Sequence, residues 1–154
     1  NVYKKRDKMK GKFRKGVFIA TYKRDNNKII YLLLKRKLHW TGWEFPKGGV
    51  EKGEINKTAA ARELKEETGQ SSKNIKSYDI SGKYKYNKEY PDRKGFQGQS
   101  YKLFSAEIKN KKAVNLDKRE HSSYKWLDFN NAWKTLTWPN QKICLNVVNK
   151  SLTK

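Results

Sequence analysis

Carboxylates with the spacing of a metal site lie within residues 48–70, GGVEKGEINKTAAARELKEETGQ. The stretch predicts a helix, on which residues three and four positions apart share a face, so Glu63, Glu66 and Glu67 converge. Three carboxylates so close repel one another unless a cation lies among them, and hard oxygen ligands suit Mg²⁺ or Mn²⁺. Such ions bind phosphate oxygens and offset the charge that develops in phosphoryl transfer. The alternative to a metal site is a solvated acidic face of the helix, paired with nearby lysines.

The spacing of the fixed residues speaks against a merely solvated face. They follow the pattern G-x5-E-x7-R-E-U-x-E-E-x-G, where U is a bulky apolar residue, and they are Gly48, Glu54, Arg62, Glu63, Leu64, Glu66, Glu67 and Gly69. The pattern resembles the Nudix box, the signature of hydrolases that cleave a nucleoside diphosphate linked to another group. Gln70 departs from the box, because the family has an apolar residue there. We expect this change to remove some packing and no ligand.

The resemblance implies a role for the residues of the box. It makes three glutamates both metal ligands and catalytic residues: Glu63, Glu66 and Glu67. The backbone carbonyl of Lys47 completes the coordination of Mg²⁺ or Mn²⁺, and Gly48 allows the close backbone approach that this loop requires. Arg62 and Glu54 resemble the structural and orienting pair of the family.

Residues beside the box resemble two branches of the family. Residues 43–48, WEFPKG, are similar to the entry to the box in asymmetrical diadenosine tetraphosphate hydrolases and RNA decapping relatives, which implies a Lys47 cation beside a polyphosphate. Residues 98–104, GQSYKLF, resemble the GQ-x-Q-K-W-F strand of bacterial RNA pyrophosphohydrolases and plant-type tetraphosphatases. Gln99 and Lys102 are matching polar residues, and we expect them to bind substrate.

Two later segments extend the resemblance towards the end of the chain. Glu120 with residues 124–127, YKWL, resembles a segment in which the glutamate is an additional metal ligand or general base supplied from outside the box. Residues 136–141, LTWPNQ, are similar to the LTFPNQ-type segment of the tetraphosphate hydrolases.

Aromatic and basic residues are interleaved in residues 83–96, KYKYNKEYPDRKGF. Such a run suits a nucleotide, because bases stack on aromatic rings while cations neutralise phosphates. Tyr84 and Tyr86 are the candidate substrate-binding residues, although their alternation on one strand face equally fits core packing. His39 and His121 have no partner pattern, and we expect His121 at the surface rather than in the site.

The box indicates a metal-dependent hydrolase and leaves the substrate open. The leading hypothesis is a dinucleoside polyphosphate such as diadenosine tetraphosphate, because of the flanking motifs. The alternative is removal of pyrophosphate or a cap from RNA 5′ ends, which the basic composition favours. Diphosphoinositol polyphosphates are a third substrate class. A non-catalytic nucleotide- or RNA-binding module is a hypothesis of another kind.

We expect an α/β (α+β) fold, a Nudix-type α/β/α sandwich with a mixed central sheet. The box helix covers one face and is expected from Asn56, its N-cap, to Thr68, with Gly69 ending it. Ala60 and Leu64 recur at i and i+4 and would face the core. The other face is covered by a C-terminal helix at 140–152, whose apolar residues are Ile143, Cys144, Val147 and Val148.

The remaining elements begin with a predicted hairpin. Two β-rich runs, 16–22 and 28–34, flank the turn signal Asp25-Asn26-Asn27. The other predicted elements are strands at 75–86, 98–108 and 124–129 and a short helix at 130–136.

The 154 residues suffice for one domain, which we expect as a basic N-terminal arm, 1–15, followed by a Nudix hydrolase domain, 16–154. Lys and Arg number 37 and Asp and Glu 15, so the net charge is +22, which favours polyanionic partners. A Lys- and Asn-rich composition whose charge is only solvated is the alternative. The single cysteine, Cys144, indicates a buried structural thiol and a reducing compartment.

The sequence does not indicate a membrane protein. No apolar run approaches the roughly 18 residues of a membrane span, and the N-terminus lacks the apolar stretch of a secretory signal. We therefore expect a cytoplasmic monomer whose partners are a nucleotide polyphosphate and, in the alternative hypothesis, RNA. The chain begins at Asn1 rather than Met, which is expected of a processed or trimmed product.

Overall fold

A mixed sheet flanked by helices forms the centre of the structure, a computed structural model that describes residues 11–72, 74–109 and 112–154. The strands are β1 (Lys12–Arg14), β2 (Gly16–Asp25), β3 (Lys28–Arg36), β4 (Gly42–Glu44), β5 (Lys47–Gly49), β6 (Asn74–Lys85), β7 (Phe96–Glu107) and β8 (His121–Leu127). The helices are α1 (Asn56–Thr68), α2 (Phe129–Thr135) and α3 (Pro139–Leu152), with a short 3₁₀ turn at Pro91–Arg93.

The sheet combines parallel and antiparallel pairs. Strand β7 runs parallel to β1 and β2 and antiparallel to β6. Strand β3 is antiparallel to β2, β4 and β8, and β5 pairs with β2 in antiparallel fashion. The predicted mixed sheet is therefore confirmed.

The two faces of the sheet carry separate cores, because successive side chains of a strand point to opposite sides. Ile19 of β2 packs with Ala60 and Leu64 of α1 on one face. Its neighbour Phe18 packs with Leu145 of α3 on the other face. The helices thus lie on both sides of the sheet, as the predicted sandwich requires. In the described ranges, no helix combines the length and the apolar character needed to cross a membrane.

The predicted hairpin is present as β2 and β3. Asn26 and Asn27 form its two-residue turn with φ angles of 48° and 67°. Positive φ at both turn positions matches the right-handed twist of the flanking strands, and asparagine tolerates it better than most residues do.

Strand β1 lies within the segment that we predicted as a basic arm. Residues 1–10 of the expected basic arm lie outside the described residues, but Lys12–Arg14 pair with β7. The ring of Phe13 lies against Gly98 of β7, and this packing draws the basic segment into the sheet. The sheet therefore begins before residue 16.

Three details of the helices complete the comparison with the sequence. Helix α1 ends at Gly69, which has φ 73° as predicted, but its N-cap is Ile55, so Asn56 is the first helical residue. Cys144 of α3 is buried, whereas Ile143 is 59% exposed, contrary to its predicted place on the apolar stripe. The buried residues of α3 are Gln141, Cys144, Leu145 and Val148, which recur at i, i+3, i+4 and i+7, and Ile143 falls outside this stripe.

The packing of α1 on the sheet can be tested by shortening Leu64, which is fully buried. Leu64→Ala should lower the free energy of unfolding by about 2–5 kcal/mol, because a cavity replaces the lost contacts. Ile55→Ala is the matched control, since Ile55 at the start of the same helix is 74% exposed. Urea unfolding of both variants measures the difference, and equal stabilities would contradict this placement of α1.

Candidate active site

Four glutamates line one cavity of about 640 Å³ and form what we call the acidic cradle: Glu63, Glu66, Glu67 and Glu120. Helix α1 supplies the first three. Glu67 is buried, and the side chains of Glu63 and Glu66 are 12% and 57% exposed, respectively. The turn that precedes β8 supplies Glu120. The structure therefore brings together the residues that the sequence assigned to metal binding.

The loop before the box packs directly on α1. A Cβ atom at Gly48 would overlap the carboxylate of Glu63, so only glycine fits this position without displacing the glutamate. The backbone N–H of Lys47 donates to Glu67 Oε2 at 3.2 Å. These contacts set the distance between β5 and the acidic cradle.

Arg62 and Glu54 form a two-point ion pair at the edge of the cradle. Arg62 Nε and Nη2 donate to the two carboxylate oxygens of Glu54 at 2.9 and 2.8 Å. These hydrogen bonds lower the pKa of Glu54 to about 2. Arg62 also donates to Glu63 Oε1 and to the carbonyl of Gly49, at 2.9 and 2.8 Å. One guanidinium thus links the box helix, the loop before it and one cradle carboxylate.

Burial and mutual repulsion act together on the cradle carboxylates. The pKa of Glu67 is raised well above its usual value by burial and then by the charges of Glu44, Glu120 and Glu63. Burial also raises the pKa of Glu63, although Arg62 opposes the shift. Carboxylates held in this way favour protonation or a bound cation.

The donor set fits a divalent cation of the Mg²⁺ type, which prefers carboxylate oxygens. Within the described residues, Glu67, Glu120 and His121 can place ligand atoms within 4.8 Å of one another. His121 Nε2 already lies 2.8 Å from Glu44 Oε2, so the carboxylates are the better ligands. The absence of a side chain at Gly48 keeps the carboxylate of Glu63 in place beside them.

The burial of His121 corrects the predicted surface position. Strand β8 pairs with β3 so that His121 lies opposite Arg36, and its ring is fully buried beside Glu44. His39 also has partners, since its ring stacks on Tyr90 with centroids 4.0 Å apart and its Nε2 lies 3.0 Å from Asp92. These contacts join residues distant in the chain, so spacing could not reveal them.

Cations line the same cavity as the acidic cradle. They come from five different strands and turns and are Arg14, Arg36, Lys47, Lys83, Lys85 and Arg93. The pKa of Arg14 is lowered by burial and then by the like charge of Arg93. An anion between these two guanidinium groups would relieve their repulsion. Arg93 belongs to the predicted basic and aromatic run at 83–96, whereas Arg36 lies outside the motifs and Arg14 within a basic N-terminal run, so neither had a predicted role in the site.

Gln99 and Lys102, which we predicted to act together, lie on opposite faces of β7. Gln99 lines the cavity and accepts hydrogen bonds from Arg14 and Tyr86, both at 3.3 Å. Lys102 pairs in register with Val17, which packs on the α1 side, and it does not line the cavity. Residues an odd number of positions apart on a strand point to opposite sides, so the grouping is corrected.

Aromatic side chains form two further walls of the cavity. Tyr84 and Tyr86 line it, Tyr84 from β6 and Tyr86 from just after β6, and Tyr84 also packs against Phe18 of the core, as the core-packing alternative predicted. Trp40 and Trp138 line it from another side, with ring centroids 5.2 Å apart. Trp138 is 45% exposed, which leaves part of its surface open to a ligand.

A phosphate-rich substrate suits this arrangement, because carboxylates able to hold a cation lie in the same cavity as fixed positive charges. The fold and the site together define a phosphoanhydride hydrolase. The family model described as NUDIX domain matches residues 12–146, and the chain belongs to this family. It is a Nudix pyrophosphohydrolase, as the resemblance of the box implied.

Relatives of the chain include RNA pyrophosphohydrolases and an Ap4A hydrolase. The chain is 32% identical over 120 residues to an RNA pyrophosphohydrolase of Nitratiruptor sp., covering 72% of this chain and 74% of the relative. It is 33% identical over 129 residues to an RNA pyrophosphohydrolase of Pelagibacter ubique, covering 77% and 78%. The crystal structure of a C. elegans Ap4A hydrolase binary complex superposes with a TM-score of 0.75 at 25% identity, covering 91% of this chain and 98% of the other.

The repulsion at Glu67 predicts the effect of removing its charge. In metal-free protein, Glu67→Gln should raise the melting temperature at pH 8 by a few degrees, on the order of 1 kcal/mol. The pKa of Glu67 is higher in the folded protein than in the unfolded chain. The protonated side chain therefore stabilises the fold at a pH below the unfolded pKa, and this stabilisation is lost as pH rises. The increase in melting temperature caused by Glu67→Gln should therefore shrink towards pH 4.

Thermal melts with and without Mg²⁺ or Mn²⁺ check this prediction and the metal site together. The wild-type protein should gain more stability from the ion than Glu67→Gln does, because the variant lacks a ligand. Asp79→Asn, at an exposed position of β6, controls for the loss of one negative charge. Equal responses to the ion would contradict a role for Glu67 as a ligand.

Proposed function

We propose that this protein removes pyrophosphate from the triphosphorylated 5′ end of RNA, with Mg²⁺ or Mn²⁺ as cofactor. The observation that carries the proposal is the cavity itself, which is lined both by the acidic cradle and by cations from several strands. A polyphosphate chain with a bound divalent cation can contact both kinds of charge. RNA pyrophosphohydrolases at 32–33% identity support RNA as the substrate, and so does the net charge of +22.

The acidic cradle holds the metal in this proposal. Glu63, Glu66 and Glu67 supply carboxylate oxygens, and the carbonyl of Lys47 completes the coordination. A bound divalent cation offsets charge on the phosphates and lowers the pKa of water. Glu54 and Arg62 hold the helix and the loop before it together, and Gly48 leaves room for the carboxylate of Glu63.

Residues around the cradle bind the substrate and move the proton. Glu120, whose side chain is 24% exposed, accepts a proton from the attacking water. Arg14 and Arg93 bind the phosphates, and Lys47 contributes a further positive charge. This division of roles separates the groups that bind the ion from those that neutralise the leaving pyrophosphate.

The aromatic walls bind the first bases of the RNA. Trp138 offers an exposed ring beside Trp40, and Tyr86 lies on the opposite wall with Gln99 beneath it. Stacking on such rings tolerates any base sequence. Lys83 and Lys85 then continue the positive surface along β6 for the phosphates that follow. Lys102 has no direct contact with the substrate in this proposal.

A dinucleoside polyphosphate such as diadenosine tetraphosphate is the second candidate substrate, and it was the leading hypothesis from the sequence. Two groups of aromatic side chains that line one cavity suit a molecule with a base at each end. The structural similarity to the C. elegans Ap4A hydrolase supports it. Diphosphoinositol polyphosphates lack a base and would leave these walls unused. The intact box counts against a purely non-catalytic module.

We also propose a monomer that acts in the cytoplasm. One copy of the chain supplies both the acidic cradle and the cations that line the cavity. Cys144 is buried, which raises its pKa to about 11, so this thiol is unreactive as expected of a structural residue.

Catalysis can be tested at Glu66, the most exposed carboxylate that α1 contributes to the cradle. Glu66→Gln should lower kcat on the order of 100-fold or more, because the variant loses a metal ligand and keeps the shape of the side chain. Asp79→Asn removes a charge at an exposed position of β6 and should leave kcat unchanged. Steady-state hydrolysis of both candidate substrates with Mg²⁺ gives the answer. Unchanged turnover by Glu66→Gln would refute the metal site.

Salt dependence distinguishes the two substrates. For triphosphorylated RNA, raising the salt concentration fourfold should weaken binding roughly 20- to 50-fold if three or four further phosphates are contacted. Binding of diadenosine tetraphosphate should weaken less. Fluorescence anisotropy with a catalytically inactive variant measures both. Preferred hydrolysis of diadenosine tetraphosphate, together with salt-insensitive binding of RNA, would favour the second candidate.

A further inference from the structure

A fully buried carboxylate, Glu44, lies behind the acidic cradle at the end of β4. It belongs to the WEFPKG segment, but neither the box nor the proposed reaction gives it a task. Glutamate is rarely buried completely unless it is paired. Its partners therefore decide what it does.

Three basic side chains surround the Glu44 carboxylate. His121 Nε2 lies 2.8 Å and Arg36 Nη1 3.4 Å from Oε2. Lys47 Nζ lies 3.1 Å from Oε1, at an ion-pair distance without the alignment of a hydrogen bond. His121 is fully buried and Arg36 is 4% exposed, so solvent scarcely screens these contacts.

Glu44 is ionised in this environment. Burial alone would raise its pKa, but Lys47, His121 and Arg36 together hold the pKa at about 2. A carboxylate can only accept hydrogen bonds, so His121 Nε2 must be the donor. The donor role determines the orientation of the His121 ring.

Each partner of Glu44 is also linked to the proposed reaction. Arg36 Nη1 lies 3.8 Å from Glu120 Oε2, and His121 directly follows Glu120 in the chain. The carbonyl of Glu120 accepts a hydrogen bond from the N–H of Lys37, at 2.9 Å. These two contacts thus hold the segment around Glu120 against the end of β3.

Lys47 connects Glu44 with the other side of the cradle. Its N–H donates to Glu67 Oε2 at 3.2 Å, and its Nζ donates to the hydroxyl of Tyr84 at 3.2 Å. The pKa of Lys47 is raised although burial opposes its charge, because Glu44 and then Tyr84 favour the charged form. The ammonium group is therefore held in one place by a carboxylate on one side and a phenol on the other.

Stability alone does not account for this network. Buried ion pairs contribute little to folding compared with well-packed apolar residues, whereas losing one partner is costly. The arrangement instead joins the two parts of the site that come from distant positions in the chain, the turn before β8 and the loop before α1.

We propose that Glu44 is the positioning residue that sets Glu120 and Lys47 relative to Glu67, an inference that rests on the proposed function. Its charge holds Arg36 and His121 on the side of Glu120 and holds Lys47 on the side of the phosphates. Without it, the cradle keeps its carboxylates but loses their mutual geometry.

The primary test is Glu44→Gln, which has the same shape but carries no charge. We expect kcat to fall about 10- to 100-fold, as for other residues that orient metal ligands, with a much smaller change in KM. The affinity for Mn²⁺, measured by electron paramagnetic resonance on the folded protein without substrate, should fall about 10-fold. Wild-type kcat together with wild-type Mn²⁺ affinity would overturn the proposal.

Leu145→Ala separates positioning from stability. Leu145 is fully buried in α3, in the core on the other side of the sheet from α1, so its truncation should lower the melting temperature. At a temperature where circular dichroism reports both variants as folded, it should keep wild-type kcat. An equal loss of kcat in both variants would mean that Glu44 acts only through stability.

A pair of variants at His121 keeps the test valid if Glu44→Gln does not fold. His121→Gln retains an N–H donor near the position of Nε2 and should keep kcat within a few-fold of wild type. His121→Leu has no N–H donor, and its kcat should fall about 10- to 100-fold, as expected when a contact that orients a metal ligand is lost. Equal activity of the two variants would count against the link through Glu44.

Failure of the proposed function gives a different result. In that case wild-type protein with Mg²⁺ or Mn²⁺ hydrolyses neither triphosphorylated RNA nor diadenosine tetraphosphate. The Mn²⁺ affinities of wild type and Glu44→Gln would still differ if Glu44 positions the cradle. If the wild-type enzyme is active and Glu44→Gln has the same kcat and Mn²⁺ affinity, only the inference about Glu44 is refuted.

Discussion

Repulsion among buried carboxylates is the constraint on which the rest of this structure depends. Glu67 has Glu44, Glu63 and Glu120 as charged neighbours in a region of low solvent exposure, and its pKa rises accordingly. Such a cluster persists only if cations offset it. The protein supplies some of these cations itself through Arg62, and the geometry leaves the remaining negative charge for a divalent ion and its phosphate ligands.

The architecture of the sheet makes the cluster possible. Helix α1 presents three glutamates because Ala60 and Leu64 fix its opposite face to β2 and β7. The fourth carboxylate, Glu120, is carried by the turn before β8, and β8 is held by its pairing with β3. Rigid elements therefore set the distances between charges, and the glycine at position 48 lets the loop and the helix approach closely.

The cations show how charge of one sign can have two roles. Lys47 and Arg36 face inward to Glu44 and stabilise a buried anion. Arg14 and Arg93 both line the cavity, and the pKa of Arg14 is lowered by burial and then by the like charge of Arg93. The first pair is satisfied by the protein, whereas the second pair favours an external anion. A high net charge alone does not distinguish these roles, but the partners of each side chain do.

Much of the fold could be predicted from the sequence because its signals are local. The spacing of the box, the hairpin turn at Asn26 and Asn27, and the helix end at Gly69 each depend on a few neighbouring residues. The family, the sandwich fold and the candidate ligands on α1 followed from these signals. Side-chain positions outside regular patterns were harder to predict, as Ile143 and Lys102 illustrate, because a single step along a helix or strand changes the direction in which a side chain points.

The sequence by itself determined the chemistry that this protein can carry out, through the residue types of the box and their helical spacing. Only the tertiary structure decided which charges meet. It drew Arg14 into the site through β1, buried His121 against Glu44 and placed Gln99 and Lys102 on opposite sides of the sheet. These outcomes depend on strand pairing between segments far apart in the chain, and the energy of a buried charge is set by the partners that such pairing supplies.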